Sequence, residues 1–167
     1  MNPIRTAPQL YAHAIAVERE AAERYTEFSQ RMSDMGAEAV ADVFASLARM
    51  ETEHLAALER RTEGLALPEL DTHDYRWLEA GAPVDAAAQE LVLRLMTPHS
   101  ALSIALGAEK RAQAFFEFVL MTADDPALRG LAREMAADEG EHIALIEQLL
   151  ARTPRGMVDW ASVYQTN

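Results

Sequence analysis

The sequence predicts an all-α fold, a four-helix bundle of two antiparallel hairpins joined by a long crossover. Three observations carry that expectation. Apolar residues recur at three and four steps over four long segments, prolines stand where those segments begin, and strand-like alternation bounded by Asn-Gly or Asp-Gly turns is absent. A length of 167 residues, half of them apolar, suits one compact domain that buries roughly 70% of its unfolded surface.

The first helix runs from about residue 8 to 32, where Leu10, Ala14, Val17, Ala21, Tyr25, Phe28 and Met32 form one continuous stripe. The second spans about 36 to 62 and stops before Gly64; the third spans about 98 to 122; the fourth spans about 126 to 152 and stops before Pro154. Pro8, Pro98 and Pro126 fall in first turns, where a missing N–H would be unsatisfied in any case, and Thr97 and Asp125 are placed as N-caps. Only a few residues separate helices one and two, and three and four, so each pair forms an antiparallel hairpin. Between the pairs, about 65 to 97, Pro68, Gly81 and Pro83 interrupt the pattern and leave room for a short helix around Ala86 to Met96, the length a crossover along a bundle requires. The bundle domain is expected over 1–152, followed by a tail, 153–167, that would form a short helix docking through Trp160 and Tyr164.

Fifteen Lys and Arg stand against 27 Asp and Glu, a formal charge of −12 that repels phosphate backbones and anionic membranes and attracts cations. Neither nucleic acid nor membrane is an expected partner. The chain has no cysteine, which excludes thiol nucleophiles, disulfides, thiolate zinc sites and Cys-ligated iron centres within it. Any metal must sit on Glu, Asp and His. Acidic residues interrupt the N-terminus before a signal-peptide core can form, and no stretch reaches the ~18 apolar residues of a membrane span, so a soluble cytoplasmic protein is expected. No Gly-rich loop followed by Lys, nucleophile elbow or Ser-His-Asp spacing stands out.

The two halves of the chain resemble each other. ARMETEHLAALE (48–59) aligns with AADEGEHIALIE (136–147) at an offset of 88, matching Glu51 to Glu139, His54 to His142 and Glu59 to Glu147. EREAAERY (18–25) aligns with EKRAQAFF (109–116) at an offset of 91, matching Glu18 to Glu109 and Ala21 to Ala112. Near-equal offsets indicate a duplicated hairpin.

Glu51-x-x-His54 and Glu139-x-x-His142 each set a carboxylate and an imidazole on one helix face, where both reach a single ion. With 18 Glu in the chain, two such matches among five histidines arise by chance about one time in ten, so the spacing alone is only suggestive. The surroundings sharpen it. Other glutamates of the first helix have opposite charges four steps away, as in Glu20 with Arg24, Glu27 with Arg31 and Glu23 with Arg19, the pattern of a solvated face. Glu18, Glu51, Glu109 and Glu139 instead lie on or beside apolar stripes. Burying unpaired carboxylates costs several kcal/mol each, and no basic residue stands at matching positions. Two divalent cations would neutralise four of them, and two imidazoles would complete an oxygen-rich shell suited to iron or manganese.

Tyr25 lies two turns after Glu18 and points along the same face, where its hydroxyl either reaches a ligand carboxylate of the other half or is satisfied in the core. Its repeat counterpart, Phe116, has no hydroxyl. His13, His73 and His99 lack a Glu three residues before them and read as surface or capping residues, and Met50, Phe115 and Phe118 read as core.

VEREAAERYTEF, METEH, AEKRAQAFFEF and ADEGEH resemble the four metal-binding helices of the rubrerythrin branch of the ferritin-like superfamily, over nearly the whole chain to about residue 152. The resemblance implies a di-iron site in which Glu51 and Glu139 bridge, while Glu18 with His54 and Glu109 with His142 are terminal ligands, manganese or zinc being possible substitutes. It further implies a homodimer that reduces hydrogen peroxide. Rubrerythrins proper carry a rubredoxin domain with cysteine ligands; this cysteine-free chain therefore requires an external electron-donor protein. They also tend to carry an additional glutamate three residues after the third-helix ligand, where this chain has Ala112, so a symmetric six-ligand site of ferroxidase style is the alternative. Three functions follow: reduction of peroxide, iron handling in which the centre oxidises Fe(II) with oxygen or peroxide, and a non-catalytic scaffold or sensor stapled by metal.

Overall fold

In the computed structural model, residues 4–70 and 96–156 are described. They form α1 (Ala7–Asp34), α2 (Glu38–Arg61), α3 (Pro98–Thr122) and α4 (Pro126–Leu150), with no strand among the described residues. The fold is a ferritin-like four-helix bundle: α1 packs along α2 and α3 along α4, and the pairs meet at the bundle centre. The crossover segment 71–95, with most of the expected short helix, and the tail from 157 onward lie outside the described residues.

Local chemistry sets the helix ends. Thr6 caps α1 by accepting from the Gln9 amide while the Gln9 side chain returns to the cap, a reciprocal box that the sequence reading overlooked in favour of Pro8. Thr97 and Ser100 do the same for α3, and Asp125 accepts from the Ala127 amide to start α4. α1 ends where Gly36 takes φ +71°, a left-handed conformation open to glycine, and the chain turns directly into α2. Gly64, at φ +80°, plays the same part just after α2.

Inward-facing side chains form two apolar clusters rather than one. The first gathers the start of α1 (Leu10, Ala14), the end of α2 (Leu58), the end of α3 (Phe115, Phe116, Val119) and the start of α4 (Leu128, Leu131). The second gathers the opposite ends, with Tyr25, Phe28 and Met32 of α1, Phe44 and Leu47 of α2, Leu102 of α3 and Ile146 of α4. At middle height lie buried Glu18, Glu51, Glu109, Glu139 and His142.

Two expectations are corrected. Phe118 is 41% exposed and Met50 only half-buried. On α3 the inward face is set by Ala112, Phe116 and Val119, and Phe118 lies one step, about 100°, around the helix from Val119. Arg19 pairs with Glu59 of α2 at 3.2 Å rather than with Glu23, because the neighbouring helix brings a carboxylate within reach. Its duplicated counterpart follows suit, Lys110 pairing with Glu147 of α4 at 2.7 Å. Both hairpins are thus laced by an equivalent ion pair, as the repeat offsets of 91 and 88 require.

Candidate metal centre

Each helix contributes to the middle layer from its apolar face: Glu18 one turn after Ala14, Glu51 one turn after Leu47, Glu109 one turn after Ala105, and Glu139 one turn after Met135. Carboxylates placed there are largely withdrawn from water and lie among the carboxylates and imidazoles of the other helices. His142 Nδ1 lies 3.0 Å from Glu51 Oε1, 3.5 Å from Glu109 Oε2 and 3.6 Å from Glu139 Oε2. His54 Nδ1 lies 3.8 Å from Glu18 Oε2 and 4.0 Å from Glu51 Oε2. The two imidazoles stack with centroids 5.4 Å apart. All six side chains expected from sequence are therefore neighbours, and Tyr25 joins them by donating its hydroxyl to Glu109 Oε1. His13 and His99 stay outside: His13 Nδ1 contacts the Gln9 carbonyl at 2.9 Å, and His99 sits in the first turn of α3 beside Ser103. His73 falls outside the described residues.

Two donor groups emerge, Glu51 with His54 and His142, and Glu51 with Glu109, Glu139 and His142, each with its ligand atoms within 4.8 Å of one another. Glu51 and His142 belong to both. Glu139, expected to bridge alongside Glu51, belongs to one, and Glu18 approaches through His54 and Glu51. Close approach is not the same as hydrogen bonding. Five atoms of this layer, Glu18 Oε2, Glu51 Oε1, His54 Nδ1 and both ring nitrogens of His142, are buried with no hydrogen-bond partner, a concentration of orphaned lone pairs and N–H groups that a native interior does not tolerate without a ligand. Glu and His donors of this number fit two divalent cations.

Without cations the layer holds protons instead. Burial, then contact with the Glu51 carboxyl and the charges of Glu51 and Glu139, pushes Glu18 up to about 11. Burial followed by contact with Glu109 holds Glu139 well above the usual carboxylate range. Burial acts on Glu51 as well, but Glu18 and His142 beside it outweigh that effect and lower its pKa. For His142 burial opposes the charged form, yet Glu109, Glu139 and Glu51 overcome it and raise its pKa. Burial and neighbouring carboxylates therefore favour the protonated forms of Glu18 and Glu139 in the metal-free layer, while Glu51 is held ionised.

The rubrerythrin family model matches residues 10–91. A solved structure, that of an uncharacterised conserved protein from Magnetospirillum magnetotacticum, is 32% identical, with a TM-score of 0.80 over 92% of this chain and 99% of that one. The chain belongs to the rubrerythrin family. No curated protein matches it. In this family member the site is asymmetric despite the duplication. His142 is 1% exposed, whereas the His54 side chain is 31% exposed and opens the layer to solvent on the α2–α4 side. Half-buried Asp138 sits close enough for His54 and His142 to act on its charge, while its own burial raises its pKa. Sequence reasoning missed Asp138, although its place four residues before His142 sets it on the same helix face.

Proposed function

We propose that the protein is a non-haem di-iron oxidoreductase that reduces hydrogen peroxide with electrons from an external donor protein, acting in the cytoplasm as a homodimer. The observation that carries this reading is the mid-bundle layer itself, in which Glu18, Glu51, His54, Glu109, Glu139 and His142 converge with five buried polar atoms left without partners. Four carboxylates balance two divalent cations, and the mixed oxygen and nitrogen donor set suits iron or manganese. Two ferrous ions held there supply the two electrons that peroxide and two protons need to become two waters.

The side chains divide the remaining work. Glu51, with Oε1 beside His142 and Oε2 beside His54, would serve both ions, while each histidine would hold one of them. Tyr25, by donating to Glu109 Oε1, fixes the orientation of that carboxylate and leaves its other oxygen for the ion. The apolar clusters above and below keep bulk water from the layer. A second reading, oxidation and handling of Fe(II), is favoured by Ala112 in place of a further glutamate and by the solvent-facing His54.

Metal analysis of anaerobically purified protein, followed by rapid mixing of the reduced form with peroxide and separately with oxygen, tests the proposal. Two irons per chain and faster oxidation by peroxide are expected. Preference for oxygen, together with a large hollow assembly on sizing, would move the protein to iron handling. A metal-loaded protein inert to both oxidants would be a scaffold or sensor.

A further inference from the structure

A cleft opens between α1 and α3 and ends at the polar layer. Its walls are Val17 and Ala21 on one side and Ala108 and Ala112 on the other. These are duplicated counterparts at the offset of 91, so the same small-residue surface of the repeated helix faces itself across the gap. Two alanines opposite each other leave space that larger side chains would fill. The cavity, about 40 Å³, exceeds the roughly 10–15 Å³ that one water needs and has room for a molecule of two heavy atoms. Its floor is made by the buried Tyr25, Glu109 and Glu139, so anything seated there touches the carboxylate layer, and His54 is not among its lining residues. At the mouth, Glu20 and Arg24 form an ion pair one helical turn long.

Wall chemistry selects what can pass. A hydrated cation or anion would shed water against methyl groups that offer no hydrogen bonds in return, a cost far larger for an ion than for a small neutral molecule. Elsewhere the layer approaches solvent at His54, which presents an imidazole and suits a metal ion.

We propose that the α1–α3 cleft is the access path and seat of a neutral oxidant of two oxygen atoms, and that Ala21 and Ala112 set its size limit. The inference rests on the oxidoreductase reading and assigns its substrate a route separate from that of the metal.

The test uses Ala112→Leu and, in case that variant does not fold, Ala21→Leu. Dissolved oxygen under pressure serves as a paramagnetic probe of the metal-free protein, and amides of residues 21, 108 and 112 should relax faster than helix amides of equal burial in wild type and lose that enhancement in the Leu variants. Each variant should still load the wild-type complement of iron, while oxidation of its reduced form slows on the order of tenfold or more. Slowing with peroxide alone or with oxygen alone names which of the two uses the cleft. Leu variants that load iron and are oxidised at wild-type rates by both would overturn the proposal, as would uniform oxygen relaxation around the cleft. A wild-type protein that binds no iron would instead defeat the oxidoreductase reading, and the relaxation measurement, made without metal, would still report on the cleft.

Discussion

The two hairpins are built to one plan and finished differently. Each carries a Glu on its first helix, a Glu-x-x-His on its second, and a cross-helix ion pair, Arg19 with Glu59 in one and Lys110 with Glu147 in the other. Yet the second hairpin's histidine is sealed inside while the first one's faces solvent, and the hydroxyl of Tyr25 in the first hairpin serves the carboxylate of the second, a service Phe116 cannot return. The repeat gives both hairpins the same Glu and His positions. That shared plan nevertheless leaves one histidine buried and the other accessible.

The sharpest way to break this comparison is to remove one histidine at a time. His142 is sealed among Glu51, Glu109 and Glu139 whereas His54 faces solvent, so His142→Ala should lower the metal content or affinity more than His54→Ala does, as counted by elemental analysis. Equal losses in the two variants would mean that the halves are equivalent after all.

Next in size is the effect of removing metal. In the metal-free chain the raised pKa values of Glu18, Glu139 and His142 mean that the folded state binds protons more tightly than the unfolded state. Their stabilisation is fully present below the ordinary values of 4.5 and 6.5 and is lost as pH rises towards the folded values. Glu51, lowered, runs the other way and contributes only above its folded value. Between pH 5 and pH 7 the unfolded Glu18 and Glu139 lose protons that their folded forms keep, while Glu51 is ionised in both states, so the metal-free protein should weaken from about pH 5 to pH 7. Metal at a hundredfold over its dissociation constant adds about 2.7 kcal/mol, roughly 5–10 °C in Tm for a chain of this size. Thermal melts with and without chelator should differ by that much at pH 7 and by less at pH 5. Coincident melts at pH 7 would remove the case for a buried two-metal site.

Smaller effects sharpen the contrast. Tyr25→Phe makes the first hairpin match the second and leaves Glu109 Oε1 buried without its donor, which should cost about 1–3 kcal/mol in denaturant unfolding. Smallest of all, Glu59→Ala and Glu147→Ala remove half-exposed partners and should each change stability by less than about 1 kcal/mol and by similar amounts, since the two pairs are equivalent.

Much of this was legible in the sequence because periodicity and spacing act locally. Helix ends at Thr97, Asp125 and Gly64 follow from cap and turn chemistry, and Glu51 with His54 and Glu139 with His142 follow from a three-residue step. Burial of Glu18 and Glu109 was readable from what surrounds them on their own helices. What depended on contacts between helices was not readable. The partner of Tyr25 stayed open between a ligand and a generic core acceptor until α3 was in place, Arg19 chose a carboxylate on α2, and the difference in exposure between His54 and His142 depends on side chains far apart in sequence.

The division of the apolar interior into two clusters changes how the molecule breathes. In an ordinary helix the ends fray and the centre is the last part to exchange its amide hydrogens. Here every helix is anchored towards both ends, because each cluster draws on all four, and is weakest at the height of Glu18, Glu51, Glu109 and Glu139. Opening of the metal-free bundle should therefore begin at its waist, where buried carboxyls replace packed methyl groups. No hairpin can leave without tearing both clusters, so this opening should stay local and reversible, and would give a metal ion repeated chances to enter a place that it would then hold shut.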